Sequence, residues 1–122
     1  MKFSANQIEL QKSLNYCQGV IEKRSTLPIL SNILLEAGNS GLTITATDLD
    51  LIFIHKINNV EIVEEGKTTT TSSIMYDIIR KLSSGKKINF SINNNKLQLE
   101  CEKSKFNLNV IDPSEFPIAE AD

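Results

Sequence analysis

A chain of 122 residues with 40% hydrophobic and 23% charged residues lies near globular averages, which argues against disordered, collagenous and disulfide-scaffold classes and leaves room for one core. Thirteen Lys and Arg against fifteen Asp and Glu give a net charge of -2, without the overall basicity of a simple nucleic-acid binder. Cys17 and Cys101 lie far apart with no CxxC pairing, and His55 is the sole histidine. Zinc-finger spacing and a disulfide framework are therefore poorly supported, and a reducing cytoplasmic setting fits best. The longest apolar run, within Leu49–Ile54, is far short of a membrane span, and Met1-Lys2-Phe3-Ser4 opens no signal-peptide core.

In chain order, Leu10, Leu14, Cys17 and Ile21 recur at helical spacing and predict a helix over Asn6–Glu22, with Ser4 or Asn6 as its cap. The period then becomes two. Ile33–Glu36, Leu42–Thr47, Leu49–Ile57 and Val60–Val63 read as hairpin strands separated by Gly38-Asn39-Ser40-Gly41, by Asp48 and by Asn58-Asn59. A second helix is expected over Ser73–Leu82, striped by Met75, Ile78, Ile79 and Leu82, capped by Ser72 or Ser73 and ended by Gly85. Ile88–Ile92, Lys96–Cys101 and Lys105–Ile111 follow as strands, with turns at Asn93-Asn94-Asn95 and Glu102–Ser104.

Offsets expose a duplication. The two long turns lie about 55 residues apart, as do Thr47-Asp48-Leu49 and Glu102-Lys103-Ser104, whereas the helix starts differ by about 66. The first copy thus carries roughly ten extra residues between its helix and its first long strand, among them Glu22–Pro28. An ordinary surface connection and a loop extended toward a ligand both fit. The expected fold class is α+β: two strand-helix-three-strand units, with both helices packed on one face of an antiparallel sheet.

The net charge hides a partition. Residues 1–35 sum to +2 and residues 67–87 to +4, whereas residues 36–66 sum to -5 and residues 88–122 to -3. At about 100° per residue, Lys12 and Arg80 point away from the apolar stripes of their helices. Their outward neighbours are Gln11, Asn15 and Gln18 on the first helix and Ser73 and Ser84 on the second. Such faces suit a polyanion held loosely, although exposed Lys and Arg on helices are usual.

Catalytic chemistry is thin. His55 has no histidine or cysteine near it in sequence, and Cys17 belongs to a core stripe. Asp48 and Asp50 alternate onto one strand face and with Asp77 imitate a metal site, but a turn acid and a solvated strand acid explain them better. No P-loop, GxGxxG or GxSxG is present. No catalytic residue, metal or cofactor is assigned.

Thr26-Leu27-Pro28-Ile29-Leu30-Ser31-Asn32-Ile33-Leu34-Leu35-Glu36-Ala37, followed by Leu42-Thr43-Ile44-Thr45-Ala46-Thr47-Asp48-Leu49-Asp50, closely resembles the first domain of bacterial sliding clamps, the beta subunits of DNA polymerase III. Met1-Lys2-Phe3 and Asp112-Pro113-Ser114-Glu115-Phe116-Pro117 fit the two ends of that domain. The resemblance implies the DNA-clamp (processivity) fold, in a homodimeric head-to-tail ring whose helices line a channel around duplex DNA. It implies a non-enzymatic role, with DNA held without reading of bases. It places Arg24 as a DNA contact on the extended loop, with Lys12 and Arg80 on the inner face. Ser72-Ser73-Ile74 lacks the basic residue common where the family's second helix begins.

The resemblance further assigns Phe106 and Leu108, with Lys103 and Lys105 close by, to the interface with the third domain of a second clamp subunit. Alternation offers another account of Phe106, Leu108 and Val110 as the inward face of a strand, and an edge strand satisfies both. Since a clamp subunit has three domains, residues 1–122 are expected to be its first, with the second and third absent and Ile118–Asp122 in a linker. DNA polymerase III and the clamp loader would bind through the absent domains. A generic α+β protein-interaction domain without DNA binding is the alternative, followed by a hydrolase or metal-dependent nuclease.

Overall fold

The structure is a computed structural model and describes residues 1–21 and 28–117. Strand β1 (Lys2–Asn6) leads into helix α1 (Gln7–Val20). A 3-10 turn (Pro28–Ser31) precedes strands β2 (Asn32–Gly38), β3 (Gly41–Thr47), β4 (Ile52–Ile57), β5 (Val60–Glu64) and β6 (Gly66–Thr71). Helix α2 (Ser72–Arg80) follows, then β7 (Lys87–Asn93), β8 (Lys96–Cys101), β9 (Ser104–Ile111) and a 3-10 turn at Pro113–Glu115. Among the described residues the strands form one nine-stranded sheet in the order β4-β3-β2-β6-β9-β8-β7-β1-β5, and every pairing is antiparallel.

The duplication is visible in this pairing. β2-β3-β4 and β7-β8-β9 are consecutive meanders, and each unit's opening strand joins the other unit's meander: β1 pairs β7, and β6 pairs β2. Each unit also closes on its own opening strand. β9 pairs β8 through Ser104–Cys101 up to Lys96–Asn109, then reaches β6 at Val110 and Ile111. In the first unit the same passage needs two strands, because Asn58-Asn59 breaks the chain after β4 and β5 alone pairs β1. That interruption makes nine strands where two strand-helix-three-strand units imply eight.

The ten extra residues of the first unit divide equally between helix and connection. α1 has 14 residues and α2 has 9, while 11 residues separate α1 from β2 and 6 separate α2 from β7. Half of the insertion therefore lengthens α1. The remainder includes residues 22–27, which lie outside the described residues together with residues 118–122, so the expectation for the Glu22–Pro28 loop, save for Pro28, and that for the Ile118–Asp122 linker fall there.

The helical stripes face the sheet. Leu10, Leu14 and Cys17 of α1 and Met75 and Ile79 of α2 are 0% exposed, and they pack with Ile33, Leu35, Ile44, Ile88, Leu97 and Leu99 in one cluster. Phe3 and Phe90 stack across β1 and β7 with centroids 4.6 Å apart and planes 9° from parallel, a geometry worth about 1 kcal/mol beyond the area it buries. Gly41 opens β3 at φ +122°, and a Cβ there would stand 2.5 Å from the Ile57 carbonyl oxygen. A side chain at that position would push β4 away from β3.

Of the two expected caps of α1, Asn6 is the one used: its Oδ1 accepts from the Ile8 N–H at 2.8 Å. Other boundaries differ from the expectation. α2 is preceded by Thr71, not by a capping serine, and Thr71 makes no side-chain cap bond. Ser72 is instead buried in the first turn and donates to Gln18 Oε1 at 3.1 Å. The helix stops at Arg80 with Lys81 still in the right-handed region, so Gly85 (φ +79°) shapes the approach to β7 and does not end α2. β4 begins at Ile52 because Asp48 Oδ1 accepts from the Asp50 and Leu51 N–H groups, a local turn that competes with the ladder. Leu49 is held at φ 84° in this turn.

Candidate nucleic-acid interface

The two helices run antiparallel, as their polar seam shows. At one end Gln7 Nε2 donates to the Ile79 carbonyl at 2.7 Å; near the middle the Tyr76 hydroxyl donates to Asn15 Oδ1 at 3.2 Å; at the other end Ser72 meets Gln18. Gln11 accepts a second bond from Gln7 Nε2 at 2.9 Å. Gln11, Asn15 and Gln18, read as outward neighbours of Lys12, therefore fasten α1 to α2 or to its own first turn. The sequence shows glutamines and asparagines at helical spacing, but not which neighbour they will meet.

On the open side of this pair, Lys12 and Arg80 are exposed, as their angle from the apolar stripes requires. The Gln7–Ile79 contact sets the start of α1 beside the end of α2, so both cations fall in the same half of the pair. Arg80 Nε reaches Asp77 Oδ1 at 3.2 Å, one helical turn back, an exposed pair of small net worth. Arg24 lies outside the described residues. Ser73 and Ile74 are exposed and leave the first turn of α2 uncharged.

The other candidate region is the free part of β9. Among the described residues, this strand pairs β8 on one side only between Ser104 and Asn109, since β6 joins it no earlier than Val110. Leu108 is buried in the core and Phe106 is half-buried against it, so alternation accounts for Leu108 while leaving part of Phe106 accessible. Both border a groove of about 390 Å³ whose opposite wall is Ile74 and Ile78 of α2. Ile74, 53% exposed, was not singled out from the sequence, although its place outside the Met75-Ile78-Ile79-Leu82 stripe is the signal that marks it. Lys103 and Lys105 are exposed, with Lys105 Nζ 3.5 Å from Glu100.

The groups considered for catalysis do not converge. Asp48 and Asp50 belong to a turn, not to one face of a strand, and Asp77 is on α2 paired with Arg80. His55 sits in β4 beside Phe53, with ring centroids 6.1 Å apart. Burial pushes the Cys17 thiol up to about 12, away from the thiolate form a nucleophile needs. Two carboxylates are held below their ordinary range for structural reasons. Glu64 accepts from the Met1 ammonium at 2.7 Å, and Asp112 accepts from the Ser114 N–H at 2.9 Å.

Two strand-helix-three-strand units sharing one antiparallel sheet, with an antiparallel helix pair on one face, define a DNA-clamp domain. Solved structures share it along the whole chain. One is "Caulobacter crescentus pol III beta", with a TM-score of 0.93 and 37% identity over 100% of this chain and 33% of that one. Another is the DNA polymerase III subunit beta of Pseudomonas aeruginosa, with a TM-score of 0.94 and 30% identity over 100% of this chain and 33% of that one. Within this class the chain belongs to the family described as DNA polymerase III beta subunit, N-terminal domain, which it matches over residues 1–120. The beta sliding clamp of Caulobacter vibrioides is 36% identical over 124 aligned residues, covering 100% of this chain and 33% of that protein. The chain thus spans about a third of the length of the curated relatives it matches.

Proposed function

We propose that this chain serves as the first domain of a replicative DNA sliding clamp, a non-catalytic processivity factor that encircles duplex DNA. The carrying observation is the helix pair: Gln7, Asn15, Gln18, Ser72 and Tyr76 hydrogen-bond across its seam, and Lys12 and Arg80 are exposed on the open side, Arg80 beside Asp77. Cations presented on a rigid surface attract phosphates irrespective of base sequence, which suits a ring that must slide. Arg24, outside the described residues, is the further DNA contact that the family resemblance implies.

The free edge of β9, Ser104–Asn109, is proposed to meet a second clamp subunit, with Phe106 and Leu108 supplying its apolar part and Lys105, with Lys103 just before the strand, its charge. The support is an unpaired strand edge beside an apolar groove, an arrangement open to strand addition. Second and third domains would complete the subunit and carry the contacts to DNA polymerase III and the clamp loader. The setting is the bacterial cytoplasm, at the nucleoid.

A domain exchange tests this reading. Residues 1–117 replace the corresponding domain of the Caulobacter vibrioides clamp, and retention on circular duplex DNA is measured after loading. The hybrid is expected to stay on closed circles and to leave after linearisation, with faster loss when Lys12, Arg24 and Arg80 become glutamine. A folded hybrid dimer that loads no circles, or retention indifferent to those three changes, would contradict the proposal.

A further inference from the structure

We infer that Lys81 and Lys86, on the turn closing α2 onto the start of α1, are the principal phosphate contacts of this helix pair; the inference rests on the duplex-DNA reading above. Charge on α2 and its following turn is concentrated at one end, since Ser72–Tyr76 carry none and Arg80, Lys81, Lys86 and Lys87 lie within eight residues. Two of these four cations already have carboxylate partners. Arg80 pairs with Asp77 at 3.2 Å, and Lys87 Nζ reaches Glu61 at 2.6 Å on β5. Among the described residues, Lys81 and Lys86 form no ion pair, and both are exposed.

The turn that carries them is fixed at both ends. The Lys81 and Leu82 N–H groups bond the Ile78 and Ile79 carbonyls at 3.1 Å, and the Lys86 N–H bonds the Ser83 carbonyl at 3.2 Å. Across the seam, Asn6 Nδ2 donates to the Gly85 carbonyl at 3.3 Å, and the Gln7 N–H donates to the Lys86 carbonyl at 2.9 Å. The backbone of Lys86 is thereby tied to the first residue of α1, the helix that bears Lys12, a third cation without an ion pair among the described residues. Lys12, Lys81 and Lys86, none of them in an ion pair among the described residues, thus belong to one half of the helix pair, and the backbone of the last two is held in a hydrogen-bonded turn. A lysine at a helix C-terminus also favours the helix dipole, which accounts for Lys81 at the cap of α2 but not for Lys86 five residues beyond it.

Amide chemical shifts of the 122-residue chain, titrated with a short mixed-sequence duplex at low salt, locate the contact even when binding is weak. The largest changes are expected across Lys81–Lys86 and around Lys12. Replacing Lys81 and Lys86 together by glutamine is expected to reduce the dependence of log K on log salt by about 2, at roughly 0.9 per phosphate contact. Lys56→Gln with Lys67→Gln, exposed lysines on β4 and β6, should leave the map unchanged. Shifts gathered at Ser73–Tyr76 or along β9 would overturn the inference while sparing the duplex-DNA reading. Absence of any shift at millimolar duplex would overturn both. The map of the unsubstituted chain decides the matter even if the double variant folds poorly.

Discussion

Cys17 shows how burial sets chemistry one side chain at a time. It is 0% exposed on the inner stripe of α1, and desolvation carries its thiol from 9.0 to about 12. The folded chain therefore holds this proton more tightly than the unfolded chain. The associated stability is complete below about 9 and is lost as pH rises toward 12, with a slope approaching about 1.4 kcal/mol per pH unit between the two values. Urea unfolding above pH 9 should show that loss, and Cys17→Ala should flatten it relative to the unsubstituted chain after its offset at neutral pH is subtracted. A disulfide reagent should also modify Cys17 only upon unfolding; rapid modification of the native chain at neutral pH would refute the burial argument. Glu64 and Asp112 run in the opposite sense, since their lowered values contribute stability that disappears as acid protonates them.

The helices differ in how they begin, and this difference is measurable. Asn6 supplies α1 with a cap bond and also reaches the Gly85 carbonyl, whereas Thr71 offers α2 no cap bond and turns its hydroxyl to Asn32 Oδ1 at 3.4 Å. Asn6→Ala is expected to lower unfolding free energy by about 1–2 kcal/mol, and Thr71→Ala by less than half as much, in matched denaturant titrations. Equal losses would show that the capping geometry carries little weight. The amphipathic stripes, the long turns and the 55-residue offset were legible because each is a local periodicity or a spacing. The cap of α2 was not, because Ser72 answers to Gln18, 54 residues away. The start of β4 was not either, because Asp48 spends its carboxylate on the two N–H groups that would otherwise begin the strand.

At the scale of the whole molecule, basic segments contain the helices and acidic segments most of the meanders, so a net charge of -2 coexists with a cationic helix end. Lys12 and Arg80 could be placed from helical angle alone. The pairing that separates Lys87 from Lys86 could not, because Glu61 comes from a different unit of the duplication. The same distribution decides how this chain should behave without a ring. A few phosphate contacts on one face, with no enclosure, give non-specific binding with Kd on the order of 10⁻⁴ to 10⁻⁶ M at physiological salt. Fluorescence anisotropy of the 122-residue chain on labelled duplexes should therefore report weak binding that falls steeply with salt and ignores base sequence. Closing the duplex into a circle should change nothing, because retention by topology requires a closed protein ring. Submicromolar binding at physiological salt would mean that this face grips DNA directly, and a preference for one sequence would mean that it reads base edges; either result would contradict the proposal that the hold on DNA depends on enclosure.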